Sequence, residues 1–164
     1  MKPLTHRKEK TMKSRKNNIL NLLIVSALAI IGSSATETFA ATIDVGIRAR
    51  LTDPLISIPI LLRGEAVIDV SSGVVSPGAF ILHDARGGPA HAEIHWSTGS
   101  VDSAGRFRLQ GQGVAQWRDS SGIVRYRHFR MVIRGRTNGT TRARGGFRDI
   151  SGSSGAHLRG RFRH

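Results

Sequence analysis

Cysteine is absent from the 164-residue chain, so no disulfide can stabilise the fold, even outside the cytoplasm. The chain also lacks a Gly-x-Ser-x-Gly elbow, a Walker-type phosphate loop and a dinucleotide-binding fingerprint. The sequence therefore indicates no cofactor and favours a non-enzymatic protein. A barrel enzyme with dispersed catalytic residues would leave no local motif, and that alternative stays open.

Lysine is missing after Lys16, so every later strongly basic residue is Arg. In residues 105–164 fourteen Arg face only Asp119 and Asp149, a net charge of +12, whereas residues 41–104 carry four Arg and seven acids. The planar guanidinium fork suits phosphate, sulfate or carboxylate. Codon usage in a GC-rich genome would produce the same preference for Arg, and both interpretations stay open.

Residues 1–40 have the layout of an export signal. Seven Lys and Arg precede an apolar core from Ile19 to Ile31, and small and polar residues follow as far as Ala40. This core is shorter than the about 20 residues that a membrane-spanning helix needs. We therefore expect cleavage after Ala40, with Ala35 as the second candidate, rather than retention as an anchor. Residues 41–164 are then the single domain of a bacterial protein that is periplasmic or extracellular.

The mature part shows the two-residue alternation of half-buried strands. In residues 106–118, Phe107 and Trp117 share one face while Arg106 and Arg108 share the other. Similar segments predict strands at 42–51, 64–71, 74–83, 90–97, 123–136, 141–148 and 156–163. The apolar run 55–62 contains a proline and predicts an edge strand or an irregular buried crossover.

Turn-forming residues separate these segments. Asp119 to Gly122 predicts a hairpin turn, and Asn138-Gly139 predicts a two-residue turn in which both residues have positive φ. No helical period of useful length appears. About eight strands joined by short turns predict an all-β protein with an antiparallel meander barrel, with a two-sheet sandwich as the alternative. Two Trp and one Tyr are too few for the aromatic girdles of a membrane-spanning barrel.

The segment from Gly145 to Gly160 contains a glycine-flanked strand around Phe147, a Ser/Gly-rich turn and a last strand ending in Gly. It resembles the closing strands of small barrels such as the allene oxide cyclase and dirigent-like group. The resemblance implies a barrel. It implies no activity, because the ligand-cavity residues of that group have no counterparts in this sequence.

A His/Glu cluster is the first candidate site. On a strand, His91, Glu93 and His95 would share one face, which offers the ligand types of zinc and non-haem iron sites. At about 3.3 Å per residue, however, His91 and His95 would be about 13 Å apart, too far to bind one ion at about 2 Å. A chelating pair would need a ligand from another strand, such as His83 or His128. We therefore expect a solvated or hydrogen-bonded polar face and assign no metal site.

The second candidate site is a set of arginines at two-residue spacing. The candidate anion-binding residues are Arg106, Arg108, Arg125, Arg127, Arg142, Arg144, Arg159 and Arg161. Pairing of neighbouring strands would place several side by side, which destabilises a sheet unless water or an anion screens the charges.

The arginines lead to the functional hypothesis of an exported, non-enzymatic barrel protein that binds an anionic envelope or surface ligand. Lipopolysaccharide, another anionic glycan or a membrane surface fits this chemistry. Nucleic acid fits less well, because few aromatic residues such as Tyr126 remain outside the core to stack on bases. Two alternatives remain: an arginine-rich surface with no ligand, and a small-ligand-binding or enzymatic barrel with the His/Glu cluster and His83 around its mouth.

The signal-peptide interpretation makes a direct prediction. The exported protein should begin at Ala41, which intact-mass measurement will show, and Ala40→Phe should accumulate uncleaved precursor because the peptidase needs a small residue at that position. A mature protein beginning at Thr36 would move the site to Ala35. Full-length protein in the membrane fraction would contradict cleavage.

Overall fold

The computed structural model describes residues 40–152 and 155–164. Apart from Ala40, the predicted signal peptide lies outside these ranges. The described residues form ten strands and contain no helix that could cross a membrane. The strands are β1 (Ala40–Thr52), β2 (Ile60–Ser71), β3 (Val74–Val75), β4 (Gly78–Asp84), β5 (His91–Trp96), β6 (Gly99–Ser100), β7 (Arg106–Arg118), β8 (Val124–Thr137), β9 (Ala143–Asp149) and β10 (His157–Arg163).

Eight of the strands form a closed antiparallel barrel. Their order is β1-β10-β9-β8-β7-β5-β4-β2, and the pairing of β1 with β2 completes the circle. The two-residue strands β3 and β6 pair with each other, and β3 also pairs with the end of β2. The predicted all-β meander barrel is confirmed, and the sandwich alternative is wrong.

The barrel wall alternates as the sequence predicts. Along β1 the side chains from Ala41 to Leu51 are buried at every second position, and those between them are exposed. Along β7, Phe107, Leu109 and Trp117 are buried inside. Hydrophobic burial therefore determines which face of each strand points inward.

Glycines lie opposite the aromatic residues that fill the barrel. Four inward aromatic side chains face a glycine on the neighbouring strand: Phe107 with Gly135, Phe147 with Gly160, Phe162 with Gly145 and Trp96 with Gly78. A Cβ on any of these glycines would lie only 2.3–2.4 Å from the facing ring. The missing side chains therefore leave the space that the rings occupy.

The rings also contact one another across the interior. The centroid of the Phe80 ring lies 4.6 Å from that of Trp96, 5.3 Å from that of Phe147 and 5.5 Å from that of Phe162. These rings therefore form an aromatic cluster within a core whose other members are mostly aliphatic.

Two local predictions are wrong. Asn138-Gly139 is not a two-residue turn, since β8 ends at Thr137 and β9 begins at Ala143. Of the two residues, Gly139 has a positive φ of 80° and Asn138 does not. The Asn138 side chain instead stabilises a longer loop, because its Oδ1 accepts hydrogen bonds from the amides of Thr141 and Arg142 at 3.0 and 2.8 Å.

Prolines account for the other difference. The segment predicted as one strand at 74–83 divides into β3 and β4 around Pro77. The run 55–62 is irregular as far as Pro59, as one alternative predicted, but Leu55 and Ile58 are exposed rather than buried, and β2 begins at Ile60. Proline has no amide hydrogen to donate to the sheet, so it marks a break or the approach to a strand.

The glycine–aromatic pairing predicts the effect of a single methyl group. Gly160→Ala should lower the free energy of unfolding by about 1–3 kcal/mol, because the new Cβ would overlap the Phe147 ring. Thermal or urea denaturation measures this change. Gly46→Ala is the control, since its Cβ would meet nothing nearer than the Arg163 carbonyl oxygen at 3.8 Å. Equal stability of the two variants would show that the Phe147 ring does not need the space that the missing side chain of Gly160 leaves.

Candidate anion-binding surface

Arginines cover much of the outer wall of the barrel. Twelve exposed arginines line a broad, open depression of about 2300 Å³ that extends over the outer faces of β7, β8, β9, β10, β1 and β2 and reaches Ile81 and His83 on β4. This arginine surface consists of Arg48, Arg50, Arg63, Arg106, Arg108, Arg134, Arg136, Arg144, Arg148, Arg159, Arg161 and Arg163. Glu65 is the one acidic residue among those that line the depression.

The strand register places these arginines directly opposite one another. Eight cross-strand neighbours are Arg–Arg pairs: 48/161, 50/159, 48/63, 159/148, 163/144, 136/144, 106/136 and 108/134. Adjacent strands are about 4.8 Å apart, and like charges in facing positions destabilise a sheet. The surface therefore concentrates positive charge at a cost to stability.

The protein supplies little negative charge to this surface. In the part of the chain that the structure describes, its one ion pair joins Arg106 Nε to Asp102 Oδ2 at 2.8 Å. Arg136 Nε donates a hydrogen bond to the Ala104 carbonyl oxygen at 3.0 Å. Both contacts are at the β7 edge of the surface, so the arginines at its centre depend on water or ligand for counter-charge.

Five of the predicted arginines come together on this surface, namely Arg106, Arg108, Arg144, Arg159 and Arg161. Arg142 lies beside it, in the loop between β8 and β9, where its backbone amide donates to Asn138 Oδ1. Along these later strands, the two-residue spacing therefore predicted which arginines share the outward face.

Arg125 and Arg127 differ from the prediction. Both are half-buried and share the inward face of β8 with Phe129. Arg125 Nη2 pairs with Asp119 Oδ2 at 2.8 Å, and the Arg127 guanidinium lies 5.4 Å from the centroid of the Phe129 ring. The prediction failed here because the two-residue period shows which residues share a face but not which face is outside.

The remaining seven arginines of the surface were not among the predicted set. Arg134, Arg136 and Arg163 have the same Arg-x-Arg spacing, and Arg148 follows Phe147 in the repeated Phe-Arg unit. Arg48, Arg50 and Arg63 come from β1 and β2, far away in sequence, and join the surface because β1 pairs with both β10 and β2. Barrel closure is what completes the surface.

The His/Glu cluster lies on another part of the outer wall. His91, Glu93 and His95 are on the outward face of β5, where His95 Nε2 is 2.7 Å from Glu93 Oε1, and His91 faces His83 on β4. These side chains therefore point away from the residues buried inside the barrel. Within residues 40–152 and 155–164, no three metal-ligating side chains are grouped closely enough to hold an ion.

No protein-family model, curated protein or solved structure matches the chain.

Two carboxylates support the loops at the end of the barrel opposite β3 and β6. Burial raises the pKa of Asp119, but hydrogen bonds from Arg125 and from the amides of Ile123 and Ser121 outweigh it and lower the pKa below its usual value. Burial likewise raises the pKa of Asp149, and hydrogen bonds from Ser151 and His157 lower it. Both groups are therefore more stable as carboxylates in the folded protein.

These pKa shifts predict acid sensitivity. A carboxylate whose pKa is lower in the folded state stabilises the fold at neutral pH, and this contribution disappears as the pH falls from about 4 through the folded-state pKa. Asp149→Asn should lower the melting temperature at pH 7 and reduce the further loss between pH 5 and pH 2. Asp44→Asn removes the same charge from an exposed position and serves as control. Parallel pH profiles for wild type and Asp149→Asn would contradict the assignment.

Proposed function

We propose that the protein is an exported, non-enzymatic β-barrel protein that binds an anionic glycan of a cell envelope, such as lipopolysaccharide, through the arginine surface. The observation that carries this proposal is the set of eight facing Arg–Arg pairs with almost no acidic partners. Export to the periplasm or beyond is part of the same proposal and follows from the predicted signal peptide.

An anion changes the sign of the interactions on this surface. Bare guanidinium groups on adjacent strands repel one another, whereas an anionic group between them accepts charge-assisted and often bidentate hydrogen bonds from both. Because the arginines are exposed, water weakens their repulsion enough for the barrel to fold without a ligand. The ligand then gains attraction from several arginines together.

The shape of the surface favours a chain-like ligand over a flat one. The arginine surface covers six of the eight strands of a closed barrel, so it turns through more than half of the circumference. A flexible polymer can follow such a curve. A flat lipid surface can contact only part of it.

The distribution of aromatic residues favours a glycan over single-stranded nucleic acid. Tyr126 is the exposed aromatic residue of β8, with 70% of its surface accessible, and it faces Gln116 towards the end of the barrel away from the arginine surface. Stacking of bases on aromatic rings gives single-strand binders much of their affinity. The arginine surface presents charged groups rather than such rings. Kinship with the allene oxide cyclase and dirigent-like barrels would concern the fold alone and adds no activity to the proposal.

The proposal predicts salt-sensitive binding that depends on particular arginines. Immobilised lipopolysaccharide or heparin should retain the mature protein at low salt, and added salt should release it. Replacing Arg144, Arg159 and Arg161 together by Gln should weaken binding about tenfold or more, because each exposed, water-screened ion pair contributes up to about 1 kcal/mol and three are lost together. Surface plasmon resonance across a salt series measures both effects.

The matched control replaces Arg86, Arg118 and Arg130 by Gln. It removes the same charge from exposed positions outside the arginine surface. Binding close to that of the wild type is expected for this variant. Absence of binding by the wild type, or equal weakening by both triple variants, would refute the proposed site.

A further inference from the structure

The arginine surface has one position near its centre that carries no side chain. Gly146 occupies an outward position of β9, between Arg144 and Arg148 on the same strand. It faces Arg161 on β10 and Arg134 on β8. We refer to this position and its four surrounding arginines as the Gly146 gap.

Sheet geometry brings the four guanidinium groups within reach of one point. Residues on adjacent strands are about 4.8 Å from Gly146, and residues two positions along its own strand are about 6.7 Å away. An extended arginine side chain is about as long as the larger of these separations, so all four can lean over the gap. Three of the four diagonal neighbours are also arginines, namely Arg136, Arg159 and Arg163.

The backbone keeps the gap free of side chains. A Cβ at position 146 would lie 2.8 Å from the Gly160 carbonyl oxygen, closer than a real contact allows. A larger residue would therefore have to displace β9 or β10. The space above Gly146 is open to a ligand group.

A comparison with Gly46 shows that an outward glycine alone does not make such a site. Gly46 faces Arg163 on β10, but it faces Glu65 on β2 and follows Asp44 by two positions on its own strand. The charges around Gly46 are therefore mixed, whereas all the charged residues around the Gly146 gap are positive.

The charge density of the gap favours a compact dianion. A phosphate monoester carries a charge of about −1.5 to −2 at neutral pH and three acceptor oxygens. A carboxylate or a sulfate ester carries a single negative charge. Because Arg presents paired N–H groups that match phosphate oxygens, the monoester satisfies more of the surrounding guanidinium groups than either alternative.

We infer that the Gly146 gap is a subsite for a phosphate monoester on the anionic glycan. This inference rests on the proposed function and adds the chemical group that the surface selects. The remaining arginines then bind the rest of the polymer through less specific charge attraction.

The experiment uses the mature protein with glucose 6-phosphate and glucose 6-sulfate as probes, at constant ionic strength and pH 7.5. NMR titration followed at the Gly146 amide should show the phosphate ester binding about tenfold more tightly than the sulfate ester, because of its second charge. Lowering the pH to 5 should remove this preference, since the second pKa of a phosphate monoester is about 6. A preference that persists at pH 5 would argue against recognition of the dianion.

Two quadruple variants distinguish a local subsite from a diffuse surface. Replacing Arg134, Arg144, Arg148 and Arg161 by Gln should abolish the binding of glucose 6-phosphate. The matched variant with Arg48, Arg50, Arg63 and Arg108 replaced by Gln should retain it. Both should fold, because removal of facing like charges relieves repulsion, and thermal denaturation checks this.

The outcomes separate the inference from the proposed function. Equal binding of the two esters, with both quadruple variants equally weakened towards lipopolysaccharide, would overturn the phosphate subsite and leave the polyanion surface intact. Lipopolysaccharide binding unaffected by either variant would overturn both. Loss of glucose 6-phosphate binding in the first variant alone would support the subsite.

Discussion

The pairing of aromatic side chains with glycines across neighbouring strands is the constraint on which the barrel depends. An eight-stranded barrel has an interior just wide enough for side chains to fill. Here the rings of Phe107, Phe147 and Phe162 occupy space that a facing Cβ would take. A shift of register by one residue would turn every ring outward. The core therefore determines the register as well as the stability.

The arginine surface follows from that register. Each inward Phe of the repeated Phe-Arg unit is followed by an outward Arg, as in Phe107-Arg108, Phe147-Arg148 and Phe162-Arg163. Because the core requires these strands to pair in one register, their arginines become neighbours. The sheet cannot relieve the repulsion by slipping without exposing its aromatic core, so relief has to come from water or from a bound anion.

The opposite end of the barrel solves the same electrostatic problem internally. There Arg125 pairs with Asp119, and Asp149 contacts His157. These contacts join the ends of β7 and β8 and of β9 and β10, where loops replace the sheet. The two regions therefore differ in electrostatics. Protein carboxylates compensate the positive charge where the loops meet, whereas the facing arginines of the outer wall have almost no acidic partners.

Alternation along single strands was determined by the sequence itself, because burial of Phe107 and exposure of Arg108 need only a two-residue period. The sequence predicted an irregularity at Pro59 but not the interruption of the strand at Pro77. The loop around Asn138 depends on side-chain hydrogen bonds that the Asn-Gly pair does not predict. Tertiary structure decided the rest. It brought Arg48 and Arg63 to the arginine surface, placed the half-buried Arg125 on the inward face of β8, and surrounded Gly146 with charge. The physical reason is that a side chain's face is a local property, whereas its neighbours across strands depend on register and on barrel closure.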